Sequence, residues 1–194
     1  TTTSNNVIGN ITPDWNGGIS NSIRYKNLSM SFLIDIQKGG DVHSSDIATG
    51  NRSGLYNYSV GLNDLGNPIR NSLADGGGII LDGVAPDGST NTVRTAMDTY
   101  RNASIKSPNA AFVYDASYVK LREVTLRYTL PKIGFLDKAD FKSVRVGLVG
   151  SNLWIIHKNL PFADPETGVS SGNLQGFQNG AYPTTRQLGL NVQL

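Results

Sequence analysis

Apolar residues recur at every second position in five separate stretches of this chain, the spacing of β-strands that present one apolar and one polar face. After Pro13-Asp14, Ile19, Asn21, Ile23 and Tyr25 fall on one face and Ser20, Ser22, Arg24 and Lys26 on the other. Past Lys26-Asn27, Leu28, Met30, Phe32, Ile34 and Ile36 alternate with Ser29, Ser31, Leu33, Asp35 and Gln37. Two such runs across a tight turn predict a hairpin. Alternation returns at Phe112 and is cleanest over Glu123 to Leu130, where Val124, Leu126, Tyr128 and Leu130 oppose Glu123, Thr125, Arg127 and Thr129. Upstream, Val119 and Leu121 lie in the other phase, which predicts a bulge near Arg122 that resets the register. Pro131 ends this strand, and a connection through Asp137 and Asp140 leads to Val144, Val146 and Leu148, alternating with Arg145, Gly147 and Val149 and continuing to Trp154. In the last run, Tyr182, Thr184, Arg186, Leu188, Leu190, Val192 and Leu194 face away from Thr185, Gln187, Gly189, Asn191 and Gln193. The expected strands are therefore residues 15–25, 28–37, 111–130, 143–157 and 182–194.

Between them the pattern dissolves into Gly, Asn, Asp and Ser, which predicts long loops over 38–110 and 158–181. The first contains Lys38-Gly39-Gly40-Asp41 and Asp75-Gly76-Gly77-Gly78, the latter expected to be flexible. Only Val93 to Tyr100 has the makings of two helical turns, and the whole stretch is expected to lie outside any core. The predicted strands run roughly 10 to 19 residues, against a usual mode of five or six. A tilted strand that crosses an apolar band of about 25 Å needs that length. Polar faces of Ser, Thr, Arg, Glu, Asn and Gln suit a hydrated lumen. Tyr25, Tyr128, Trp154 and Tyr182 near strand ends suit either membrane interfaces or ordinary sheet packing. Tight turns on one side and long loops on the other are the asymmetry of outer-membrane barrels. The Lys26-Asn27 turn and the C-terminus are then expected on the periplasmic side and both long loops outside the cell.

Composition removes several classes. Hydrophobic residues make up 38% and mean hydropathy is -0.24, while 22 of 194 residues are glycine, which favours strands and polar loops over helices. A net charge of +2 gives no concentrated basic patch for nucleic acid. Without cysteine there is neither a disulfide framework nor a thiolate site. Thr1-Thr2-Thr3-Ser4-Asn5-Asn6 does not read as a signal peptide, and no stretch is long and apolar enough for a transmembrane helix, which leaves membrane-crossing strands untouched.

Five stretches, in order, resemble the SusC/RagA-type TonB-dependent outer-membrane transporters. They are Pro13-Asp14-Trp15-Asn16-Gly17-Gly18 with Tyr25-Lys26-Asn27-Leu28; the string from Phe112 to Val124, FVYDASYVKLREV; Gly150-Ser151-Asn152-Leu153-Trp154; Asp164-Pro165-Glu166; and Pro183-Thr184-Thr185-Arg186. The resemblance implies an all-β fold, an antiparallel transmembrane β-barrel wall of about five strands that forms the C-terminal arc of a 22-stranded plugged barrel. It further implies import of oligosaccharides or peptides with energy from TonB, and a SusD-like surface lipoprotein as partner. The remaining partners it implies are the plug and other barrel strands, TonB through the absent N-terminal part, and the lipid membrane. The chain closes on Val192-Gln193-Leu194 where such barrels commonly end on an aromatic residue.

No catalytic, metal or cofactor site is expected. His43 reads as a solvated loop histidine and His157 as interfacial. No G-x-S-x-G is present, and Asp75-Gly76-Gly77-Gly78 lacks the lysine and serine of a phosphate-binding loop. Asp164-Pro165-Glu166 offers two carboxylates without EF-hand spacing and is expected to be a solvated loop rather than a calcium site. Five N-x-S/T sequons, at Asn10, Asn27, Asn51, Asn57 and Asn102, are expected chance products of Asn-rich loops. Luminal Arg24, Asp35, Glu123, Arg127 and Arg145 are expected to pair with the plug rather than to tune passage. The competing reading is a soluble all-β carbohydrate-binding module, with a hydrolase third.

Overall fold

The computed structural model describes residues 5–103, 109–131, 134, 143–168, 175–180 and 182–193. Asp137, Asp140, Ser104 of the Asn102 sequon and the closing Leu194 lie outside them. Two compact units emerge: Ser44–Phe112 with the chain up to Ile8, and Gly9–His43 with Val113–Leu194.

The second unit is built on a five-stranded antiparallel sheet of β1 (Pro13–Tyr25), β2 (Leu28–Gly39), β7 (Tyr118–Leu130), β8 (Val144–Lys158) and β10 (Gln187–Gln193), in that spatial order. β1 and β2 join through Lys26-Asn27, with Tyr25 opposite Leu28 and Lys26 at a φ of 52° in the left-handed region. Because period-two residues share a face, the register aligns the apolar positions across the whole sheet. Ile23, Met30, Leu126, Leu148 and Leu190 form one transverse row, each opposite the next. Nothing among the described residues covers this face: in the three central strands Met30 is 42%, Leu126 38% and Leu148 58% exposed.

The register resets where the phase change predicts it. On the β2 side Leu33 pairs with Glu123 and Ile34 with Leu121, so Arg122 is an extra residue; on the β8 side, Asn152 and Leu153 are also looped out between Ser151 and Trp154. The double irregularity keeps Tyr118, Lys120 and Arg122 on the same polar face as Glu123 and Thr125. Several boundaries shift. The expected strand 111–130 divides into a 3-10 turn at Asn109–Phe112, β6 (Val113–Asp115) and β7; the expected strand 182–194 begins at Gln187. Pro183 lacks the N–H a ladder needs, which fits the later start.

The expected loop 38–110 is the main correction. Its start supplies β3 (Asp41–Ser44), which pairs with β6 and with β9 (Phe177–Gln178) in a small second sheet. Beyond it, the first unit contains α1 (Ser45–Ser53), the short pair β4 (Ile79–Ile80) and β5 (Arg94–Thr95), and α2 (Met97–Ala103). The unit has its own core, in which Ile47, Ile69, Met97 and Phe112 are buried. Ser44 caps α1, its Oγ accepting from the Ile47 N–H at 3.0 Å, and Gly54 ends it at a φ of 69°. Asparagine holds much of the rest: Asn63 Nδ2 donates to the carbonyls of Gly76 and Gly78, while its Oδ1 accepts from the amides of Leu65 and Asn67. The Asp75-Gly76-Gly77-Gly78 segment, expected to be flexible, is thus tied down. A Cβ on Gly77 would stand 2.0 Å from the Asn71 carbonyl oxygen.

Candidate functional site

Alternation puts Tyr118, Lys120 and Arg122 side by side on the polar face of β7, and the chain leaving β8 folds back over them. Asn159 begins this strap: its amide donates to the Ser117 carbonyl at 3.2 Å and its side-chain amide to Asp115 at 2.8 Å. Leu160 follows, fully buried at 0% exposure. Phe162 turns the chain through a left-handed φ of 57°, and Asp164-Pro165-Glu166 then reach the cations of β7.

Lys120 Nζ lies 2.5 Å from Asp164 Oδ1 and 2.5 Å from Glu166 Oε2. Arg122 grips Glu166 with both terminal nitrogens, at 2.6 and 3.0 Å, and also meets Asp35 from β2. Such a fork-to-carboxylate pair fixes direction as well as distance. Asn152, left-handed at a φ of 51° in the β8 irregularity, accepts from Arg122 Nη1 at 2.8 Å. Asparagine tolerates that conformation better than most residues. The Tyr118 hydroxyl donates toward Asp35 and Glu166, and the Lys120 ammonium sits 5.0 Å from the Tyr118 ring centre. Thr184, on the approach to β10, donates to Asp164 through its hydroxyl and, at 3.4 Å, its amide. Lys158 Nζ donates to the Ala163 carbonyl at 2.6 Å.

The cluster has two tiers. Lys120 and Asp164 are almost dry, with side chains 3% and 4% exposed; Arg122, Asp35 and Glu166 keep a fifth to a third of their surface in water. Burial pushes the Asp164 carboxyl up, but hydrogen bonds from Lys120, Thr184 and the Glu166 amide outweigh it and hold Asp164 below the usual carboxylate range. Glu166 is likewise raised by burial and lowered further by Arg122 and Lys120, with the same net direction.

These findings revise two expectations. Asp164-Pro165-Glu166 is not a solvated loop: Asp164 and Pro165 are buried and both carboxylates are turned onto cations. Asp35, expected to meet the plug, forms an ion pair with Arg122 of the same sheet. His43 is no solvated loop residue either, since it lies in β3 with its ring 5.4 Å from Phe177 and its Nδ1 buried. His157 is exposed near the end of β8, its Nε2 3.0 Å from Asn159 Oδ1. Of the other expected luminal charges, Arg24 reaches the Lys26 carbonyl and Glu123 accepts from Thr125, while Arg127 and Arg145 stand on the same face. No group of three or more metal-ligating side chains gathers among the described residues. Beside the network lies a cleft of about 340 Å³ lined by, among others, Asn16, Gln37, Ala116 and Pro165.

Sequence reasoning missed Lys120, Arg122, Tyr118, Asn152 and Thr184 as partners, Arg122 being read only as the place of a bulge. One signal was available: basic residues two apart on a polar face, with a pair of carboxylates two apart in a later loop.

No protein-family profile matches the chain. Among curated proteins it is 32% identical to TonB-dependent receptor P3 and 29% identical to TonB-dependent receptor P26, both of Formosa agariphila, over 96% of its own length. It spans 17% of the length of each. Among solved structures it superposes on the RagAB peptide importer in its open-open and closed-closed states with TM-scores of 0.54 and 0.52. Sequence identities there are 21% and 20%, over 93% of this chain and 17% of the other. Four of the five sequence stretches quoted above supply residues to the network around Lys120 and Arg122. With its sheet, register and polar-face cluster in place, the chain belongs to the TonB-dependent receptors and carries the fold of the RagA-type barrel wall.

Proposed function

We propose that this chain is an arc of the wall of an outer-membrane TonB-dependent transporter that imports oligosaccharides or peptides together with a SusD-like lipoprotein. One observation carries the reading: the five-stranded sheet has an uncovered apolar face and a polar face that holds the ion pairs. A soluble sheet with such a face would bury it; a barrel turns it to lipid. The dimensions agree. Trp15 and Tyr25 lie on the apolar face of β1 ten residues apart, a rise of roughly 33 Å along the strand, which at a tilt near 40° spans about 25 Å of membrane. Tyr25 and Tyr128 mark one rim, each opposite Leu28, while Trp15 lies towards the other.

β1 and β10 each leave one edge without a partner among the described residues, which supports neighbouring strands, up to the 22 of a complete barrel, continuing on both sides. In this reading the Lys26-Asn27 turn and the end of β10 lie on the periplasmic side and the two long connections lie outside the cell, which the alternating strand directions support. Cargo is carried over from the RagAB peptide importer by fold alone, so peptides and oligosaccharides both stand.

Single cysteines in the full-length protein test this in intact cells. A cysteine replacing Leu148 or Leu190 should resist a membrane-impermeant thiol reagent and react with a lipid-soluble one, whereas cysteines replacing Val149 or Asn191 should react with the impermeant one. Recovery of the full-length protein in the soluble fraction without detergent would overturn the proposal.

A further inference from the structure

We propose that the strap from Asn159 to Glu166 is a fixed part of the wall, fastened by Lys120 and Arg122 throughout transport, so that any gating movement lies elsewhere. Ion pairs alone would not hold it. Undocking returns Lys120 and Asp164 to water, which restores the hydration that burial removed. Three further features make release cooperative. Leu160 is fully buried at the root of the strap, and re-exposing it alone would disfavour the open form by roughly 10- to 100-fold. Asp164 then closes a neck, because it accepts from the Glu166 amide at 3.1 Å and from the amide and hydroxyl of Thr184 across the loop. Asp164 thus holds Lys120 through one carboxylate oxygen and Thr184 through the other, so freeing the strap breaks both sets of contacts. Lastly, the charges balance: Lys120, Arg122 and Lys158 face Asp35, Asp164 and Glu166, three cations against three carboxylates. Among the described residues of this cluster no surplus charge drives the strap off the wall. Lys120 and Arg122 act as positioning residues.

The inference rests on the transport reading only where it speaks of transport; docking itself is measured separately. Hydrogen exchange on the full-length protein in lipid nanodiscs reads the amides of Glu166 and Thr184. Both should exchange slowly in the wild type and at least about tenfold faster in Asp164→Ala; exchange at the unprotected rate in the wild type would overturn docking. For permanence, Arg122→Cys with Glu166→Cys is joined by a short bis-thiosulfonate linker, and growth is followed on a nutrient that requires the wild-type gene. Tethered and reduced forms should support uptake within about twofold of each other. A block imposed by the tether and relieved by reductant would show that the strap must move and would refute the proposal. Should that pair fail to reach the membrane, Lys158→Cys with Ala163→Cys ties the same strap to the same wall. Because exchange is read without transport, failure of the transport reading and failure of docking remain distinguishable.

Discussion

Replacing Lys120 with methionine keeps the reach of the side chain and deletes its charge, which makes it a direct probe of the dry tier. In the wild type, both side chains of the Lys120–Asp164 pair are under 5% exposed. Removing one partner leaves the other charge buried, a change that typically costs about 3–5 kcal/mol, whereas an exposed pair is worth about 0–1 kcal/mol. Asp164 would keep its hydrogen bonds from Thr184 and the Glu166 amide, so we expect the lower half of that range, about 3 kcal/mol at pH 7. Urea unfolding of the full-length barrel in lipid vesicles measures it, provided the denaturant slope is unchanged. Lys120→Met combined with Asp164→Asn should recover most of the loss, since no buried charge then stands alone. A single-variant loss below about 1 kcal/mol, or a double variant no better than the single, would refute the burial argument. The pH dependence adds a second check. Asp164 and Glu166 have folded pKa values below their unfolded ones. Their contribution is complete above the usual carboxylate range and is lost as pH falls through the depressed folded values. In the variant Asp164 escapes by taking up a proton, so its deficit relative to wild type should shrink steadily on acidification.

The two faces of the sheet should respond oppositely to charge. Leu148→Arg, on the apolar face, should cost about 2–4 kcal/mol of folding into vesicles if it lies near the bilayer midplane, while Val149→Arg, one position on, should cost far less. In the first unit, Ser44→Ala removes the cap on Ile47 and should destabilise α1 by about 1 kcal/mol, read as faster exchange of its first-turn amides. Asn152→Gly should relieve the left-handed backbone yet lose the Arg122 hydrogen bond, for a net cost of about 1 kcal/mol in the same urea assay.

Alternation in the sequence was sufficient for the strands, because a period of two is set by the strand itself and needs no partner to be legible. It located the hairpin at Lys26-Asn27, assigned Met30, Leu126 and Leu148 to one face, and placed the irregularity at Arg122 from the phase change between Leu121 and Val124. The first unit was illegible for the opposite reason. There asparagine side chains such as Asn63 supply backbone hydrogen bonds, and a small core assembles from Ile47, Ile69, Met97 and Phe112, which have no common period. Strand ends were read too long where Pro183 and the Ala116-Ser117 corner interrupt the ladder.

The local sequence thus determined which residues share a face and which of the two faces is apolar. Only the tertiary structure decided that Asp35, Lys120, Arg122, Asn152, Asp164, Glu166 and Thr184 meet. Those seven come from three strands and two connections, and what joins them is the register between strands and the return of the chain after β8. Registers and returns depend on pairing energies summed over many residues, and no single stretch of sequence carries that sum.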